Sequence, residues 1–293
     1  MEGENIINIK DERYPERLKK IGKEAPEKLY YKGDWDEKIF ENCLAVVGSR
    51  RLTSYGKKIT EQLVTEIAAA GVTIVSGFMY GGDEAAHKAA VEVGGRTIAV
   101  MPCGIDIIHP EYQEELYNKI LENKGLIISE FEGNFPPANW TYPKRNRIVA
   151  GLSKAVLIVE AGLNSGTLIT AEFAKKFRRK IFAVPGPLTS EVSKGTAKLF
   201  KEGASVVTEA KDVLDFYKII PNKESVEDRP QQLARRFKDD FEKRIIEHLE
   251  KEALEADALA RILGVSVAKV GTTLSLMQLK GFIQQEGNKY YVN

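Results

Sequence analysis

NWTYPKRNRIVAGLSKAVLIVEAGLNSGTLITAE, residues 139–172, decides how the rest of the chain is read. It opens with an aromatic and basic loop, Trp140, Tyr142, Lys144, Arg145 and Arg147, that runs into a short apolar helix. A buried strand follows at Ala155–Glu160. A turn of small residues, Asn164-Ser165-Gly166-Thr167, then begins another helix. A short apolar run held between two helical stretches is the mark of a βαβ crossover, and so of a parallel sheet. The basic loop contains no acid and forms a local anion site. The backbone N–H groups at the helix start behind Ser165, Gly166 and Thr167 form a second. Two anion sites separated by one strand point to a ligand with more than one phosphate.

The same alternation extends outward from Cys43 to about residue 218. LAVVG, VTIVS, TIAVM, LIIS, AVLIVE, IFAVP and SVVT alternate with segments of helical period such as SYGKKITEQLVTEIAAA and YQEELYNKILEN. Runs of Val and Ile this short fit strands buried on both faces. The expectation for 41–218 is an α/β domain with an open, Rossmann-like, mostly parallel sheet of about seven strands, its ligand site beyond their carboxyl ends. Residues 1–40 carry turn signals at Tyr14-Pro15 and Gly33-Asp34 and read as a short helical lead-in packed on that domain. Residues 219–238, charged and with two prolines, read as a linker. Residues 239–293 read as three amphipathic helices and a hairpin turning at Glu286-Gly287-Asn288, a small winged helix-turn-helix.

A net charge of +1 over 293 residues gives no global attraction to nucleic acid or membrane, so binding must come from local clusters. Cys43 and Cys103 stand alone at strand ends and read as buried reduced thiols. No apolar run approaches about 18 residues, and the charged N-terminus has no signal-peptide core, so the reading places the protein in the cytoplasm with no membrane partner.

Gly48-Ser49-Arg50 ends the first strand, with Ser54 placed to cap the next helix. Gly48 permits close backbone approach and Arg50 can fork onto a phosphate. The turn lacks the G-x-G-x-x-G fingerprint, and no acid follows at ribose-binding distance, which argues against a nicotinamide cofactor. Asp83 and His87 read as a helix cap and a packed histidine rather than an acid–base pair, and no metal-ligand spacing occurs. Lys194, at another helix start, is a further phosphate candidate. There is no P-loop, no G-x-S-x-G elbow and no Cys/His pair, so no catalytic residue is assigned.

Taken together, these loops resemble the DNA-processing protein family DprA, also called Smf. The likeness rests on Gly48-Ser49-Arg50, the Ser76–His87 segment, Pro143–Ile148, Ser165–Ala171, and Val184–Gly186 with Lys194–Thr196. Tyr80 stands where the family pattern has arginine. The resemblance implies a non-enzymatic, homodimeric protein without cofactor that binds single-stranded DNA. It also implies that the protein loads RecA onto incoming strands in competition with single-strand binding protein, during transformation and recombination. On that reading Gly48, Ser49, Arg50, Lys144, Arg145, Arg147, Ser165, Gly166, Thr167 and Lys194 contact phosphates. Trp140 and Tyr142 stack bases. Val213, Leu214 and Phe216, with no evident internal partner, are the local support for a dimer. Two alternatives are a non-catalytic nucleotide sensor and a phosphoribohydrolase of the LOG type, whose motif glutamate is here Thr170. The winged domain offers a recognition helix only Lys269, Gln278 and Lys280, so it is expected to engage a protein or the core more than DNA.

Overall fold

The computed structural model describes residues 5–220, 239–249 and 252–292, in two compact units that divide at residue 221. All seven apolar runs form strands. They are β3 (Cys43–Val47), β4 (Thr73–Ser76), β5 (Thr97–Val100), β6 (Leu126–Ser129), β7 (Ala155–Ile158), β8 (Lys180–Ala183) and β9 (Ser205–Val206), each parallel to its neighbours within this set.

The first forty residues differ from expectation. They do contain a short helix, α1 (Glu16–Lys19), and two 3-10 turns, but Ile6–Asn8 (β1) and Lys28–Lys32 (β2) join the sheet. β2 pairs antiparallel with β6, Tyr30 opposite Ser129, and gives the sheet the order β1-β2-β6-β5-β4-β3-β7-β8-β9. The physical reason is the edge of β6, whose unpaired N–H and C=O groups need a covering strand.

Side chains alternate between the two faces. Leu44 and Val46 pack under α2 (Ser54–Ala69), α3 (Gly82–Glu92) and α8 (Ala210–Tyr217), while α4 (Glu114–Glu122) continues that layer over Ala99 and Ile127. Ala45 and Val47 face α1, α5 (Thr141–Leu152), α6 (Thr167–Lys176) and α7 (Lys194–Lys201). Burial on both faces explains why the strands are continuous apolar runs. Val213 and Leu214 belong to this core, so they are not unpartnered, whereas Phe216 remains 42% exposed against the edges of Phe182 and Tyr217.

The second unit holds α9 (Asp240–Leu249), α10 (Ala256–Leu263), α11 (Val267–Leu279) and a hairpin, β11 (Ile283–Glu286) with β12 (Lys289–Val292). Leu254–Glu255 (β10) adds a third short strand, and Ile245, Leu259, Leu274 and Ile283 lie in its core. Of the expected linker, residues 221–238 lie outside the described residues.

Candidate nucleic-acid interface

From β3 the chain winds outward through β4, β5 and β6, then returns to place β7 on the other side of β3. Loops at such a reversal leave the sheet in opposite directions and open a crevice. Here it is a cleft of about 960 Å³, walled by Gly48–Arg51 after β3, Gly77–Asp83 after β4, the loop at His109, the first turns of α5 and Gly162–Thr167 after β7.

The walls are pinned by short polar contacts. The Thr167 hydroxyl donates to the Gly48 carbonyl at 2.9 Å, joining the two loops across the reversal. Buried Glu160 accepts from the Thr53 amide at 2.9 Å and from its hydroxyl at 2.5 Å. Thr53, not Ser54, caps α2, accepting from the Gly56 amide at 3.0 Å. Glu160 was not singled out in the sequence, although an acid ending an apolar strand is a usable signal.

Arg50 stands at the mouth. Its guanidinium lies over the Tyr142 ring at 5.1 Å and the Tyr80 ring at 5.7 Å. The Tyr142 hydroxyl meets His109 Nε2 at 2.9 Å. Where a second arginine would have repelled Arg50, Tyr80 instead offers its ring face to the cation. Across the cleft, Ser165 Oγ takes the Thr167 amide at 3.2 Å, and the Leu168 and Ile169 amides turn onto the carbonyls of Ser165 and Gly166. Gly166 has φ −58° and nothing within 4 Å of an added Cβ, so the fold does not require glycine there and the bare backbone faces open space.

The remaining basic residues separate. Arg145, its side chain 4% exposed, donates to the Val100 carbonyl and lies 4.0 Å from Asp83 Oδ2. Burial pushes the Asp83 carboxyl up, with Arg145 opposing. Arg147 leaves the cleft altogether and makes two bonds to Glu130, 2.9 and 2.8 Å. Lys144 joins the same carboxylate at 3.1 Å and lies over the rings of Phe131 and Trp140. The loop that is acid-free in sequence thus meets an acid in space, with Lys144 and Arg147 sharing the one carboxylate of Glu130. Trp140 packs edge-on against Phe131 and Phe135, away from Tyr142. Lys194 pairs with Glu191 at 2.5 Å, and it is Glu191 that borders the cleft. Among the described residues no group of three or more His, Cys, Asp or Glu side chains is arranged for a metal.

His87 is fully buried beneath the cleft, its Nε2 donating to the Gly77 carbonyl at 2.6 Å and its Nδ1 2.7 Å from the Thr97 hydroxyl. Burial pushes its pKa down to about 4, so the ring is neutral. The folded pKa lies below that of the unfolded chain, about 6.5. The stabilisation is therefore complete above that value and is lost as pH falls towards 4. Between pH 7 and pH 5 the loss should be about 2 kcal/mol. Urea unfolding of the native chain and of His87→Gln at both pH values checks this, since the variant should lack that difference.

Among known proteins, the family described as DNA recombination-mediator protein A matches residues 5–218, and the DprA winged helix domain matches residues 228–289. The chain is 35% identical to Protein Smf of Escherichia coli K12 over 286 residues, 95% of this chain and 75% of that one. It is 41% identical to the DNA processing protein DprA of Streptococcus pneumoniae R6 over 208 residues, 71% of this chain and 72% of that one. The crystal structure of DprA from Streptococcus pneumoniae superposes with TM-score 0.69 at 38% identity, covering 73% of this chain and 74% of that one. That of DNA processing protein A from Helicobacter pylori, a study of its single-stranded DNA binding mode, superposes with TM-score 0.64 at 32% identity, covering 73% and 96%. By motif order, fold and similarity over both units, the chain belongs to the DNA recombination-mediator protein A family, DprA/Smf.

Proposed function

We propose that this protein processes DNA by binding single strands in the switch-point cleft. The observation that carries the reading is the pairing, across one opening, of Arg50 on an aromatic surface with the bare Ser165-Gly166-Thr167 turn. A cation, a stacking ring and the open backbone at Gly166 suit a phosphodiester strand, and contacts of this kind are tolerant of sequence. Gly48–Arg50 and Ser165–Thr167 hold phosphates and Tyr142 stacks a base. Lys144 and Trp140 extend the track on the adjoining patch, and Lys194 flanks it. Arg145 and Arg147, already bonded within the fold, act by positioning. Catalysis is not part of the reading: both His87 ring nitrogens are engaged, Asp83 is buried beside Arg145, and Thr170 occupies the hydrolase glutamate position.

With about three phosphates neutralised per protomer, by Arg50, Lys144 and Lys194, log affinity for oligo-dT should fall against log salt with a slope near −2. Arg50→Ala should weaken binding by about 1–3 kcal/mol, as for a lost charge-assisted hydrogen bond. A flat salt response, or an Arg50→Ala protein that binds as well as the native one, overturns the proposal.

The finer role, carried over from the family, is that of a homodimer handing strands to RecA in place of single-strand binding protein. Exposed Phe216 and Ile220 at the end of the first unit support the dimer. Sedimentation and RecA nucleation on protein-coated strands test the two parts. The winged unit adds little to strand affinity on this reading, because Lys269 lies over Phe241 and Lys280 pairs with Glu242 at 2.7 Å. Deleting residues 239–293 should change it by less than about tenfold, or 1.4 kcal/mol, and a larger loss in the same titration would assign the unit a DNA-binding role.

A further inference from the structure

At the opposite end of the sheet, where β3, β7 and β8 begin, three half-buried cations meet. Arg17 of α1 donates to the Phe40 carbonyl at 3.1 Å. Arg179, just before β8, donates to the carbonyls of Arg17 at 2.9 Å and Gly151 at 3.0 Å. Lys154, before β7, donates to the Asn42 side-chain oxygen at 2.6 Å. Every acceptor is neutral. The neighbouring acids are engaged elsewhere, Asp36 with Arg96 at 3.0 Å and Glu24 with Lys176. Glu41 is the carboxylate Lys154 feels, and among the described residues it makes no ion pair with it. Arg179 Nε is buried without a partner.

The basic run 175–180 therefore divides. Lys175 and Lys176 are taken by Glu172, Glu202 and Glu24, whereas Arg178, Arg179 and Lys180 make no ion pair among the described residues. Burial, and next the Arg17 charge, depress both Lys154 and Arg179. Like charges gathered out of water on neutral acceptors are costly until a counter-charge arrives. Two guanidinium forks and one ammonium suit an anion with several oxygens and more than one charge, which a phosphate provides better than a lone carboxylate.

We propose that the Arg17–Lys154–Arg179 cluster is a second anion site for a phosphate-class ligand, either successive phosphodiesters of a nucleic-acid strand or a free phosphoanion. The strand source rests on the DNA-binding reading above; the anion chemistry does not.

The test uses the full chain and pyrophosphate, with chloride holding ionic strength constant. Pyrophosphate should raise the melting temperature, and Lys154→Gln should weaken its apparent affinity at least about tenfold, 1.4 kcal/mol. Lys154→Arg, which keeps the charge, should retain the response. Arg178→Gln, an exposed change beside Arg179, should show a smaller loss and replaces Lys154→Gln if that variant does not fold. The strand arm titrates oligo-dT into Arg50→Ala with and without Lys154→Gln. A further loss of about tenfold and a shallower salt slope assign the site to the strand; no further loss, with the pyrophosphate response intact, assigns it to a free phosphoanion. Equal stabilisation of native, Lys154→Gln and Arg178→Gln proteins by pyrophosphate, with unchanged oligo-dT binding, overturns the site. A failure of the cleft reading is distinct, because it shows as native-like strand binding by Arg50→Ala alone.

Discussion

Replacing Arg147 by alanine should cost about 3–5 kcal/mol of folding stability, the range expected when one partner of a buried pair is removed. The side chains of Arg147 and Glu130 are 9% and 8% exposed, and their two parallel bonds tie the first turns of α5 to the end of β6. Without the guanidinium, Glu130 keeps, among the described residues, the ion pair to Lys144, whose side chain is 43% exposed. That places the loss towards the lower end of the range. Arg147→Lys should recover only part of it, since an ammonium cannot match both carboxylate oxygens. The double change Arg147→Met with Glu130→Gln should be milder than Arg147→Ala, because no charge is then left buried alone. Arg50→Ala, removing an exposed side chain, should stay within about 0.5 kcal/mol of the native chain. Urea unfolding midpoints of the four variants decide the matter. A loss below about 1 kcal/mol for Arg147→Ala would mean that Glu130 is rehydrated or reclaimed by Lys144.

The contrast between these two arginines shows what could be read in the chain and what could not. The seven parallel strands were legible because a strand buried on both faces is apolar at most positions, and all five residues of β3 are. β1 and β2 were not. KLYYK, between β1 and β6, buries Leu29 and Tyr30 between exposed or half-exposed neighbours, and a strand of that length carries almost no periodic signal. The cleft loops were legible as glycine-rich strand ends. The fate of 144–147 was not, because neighbours in sequence diverge on a helix. Lys144 and Arg147, three apart, share one side of α5 and meet Glu130, while Arg145 turns inward to Val100 and Asp83. Glu130 arrives from just beyond β6, so a stretch that is acid-free in sequence has a carboxylate shared between two of its cations in space. Val213 and Leu214 taught the same lesson in reverse, since the surface they cover is made by α2 and β7, far away along the chain.

Gly81→Ala should be similarly damaging, and it should act on binding as well as on stability. Gly81 begins α3 with φ 82° and ψ −123°, a conformation open to glycine and strained for every other residue. That strain alone costs about 1–3 kcal/mol. An alanine Cβ would also press on the Ser49 carbonyl oxygen and stand 2.7 Å from that of Arg50, both backbone atoms of the loop that ends β3. The loop cannot yield cheaply. The Gly82 amide donates to the Ser49 carbonyl at 3.1 Å, and the Gly48 carbonyl is held by Thr167. Relief of the clash must move Ser49 and Arg50 away from α3, carrying the Arg50 guanidinium off the Tyr80 and Tyr142 rings. Strain and overpacking together should cost about 3–5 kcal/mol in stability. In the fraction that still folds, oligo-dT affinity should drop by at least about tenfold, comparable with Arg50→Ala. Combining Gly81→Ala with Arg50→Ala separates the two effects: the stability loss should persist, and strand affinity should fall little further, because both changes remove the same contact. Strand affinities that fall by the full sum of the single losses would show that Gly81 supports some part of the cleft other than Arg50.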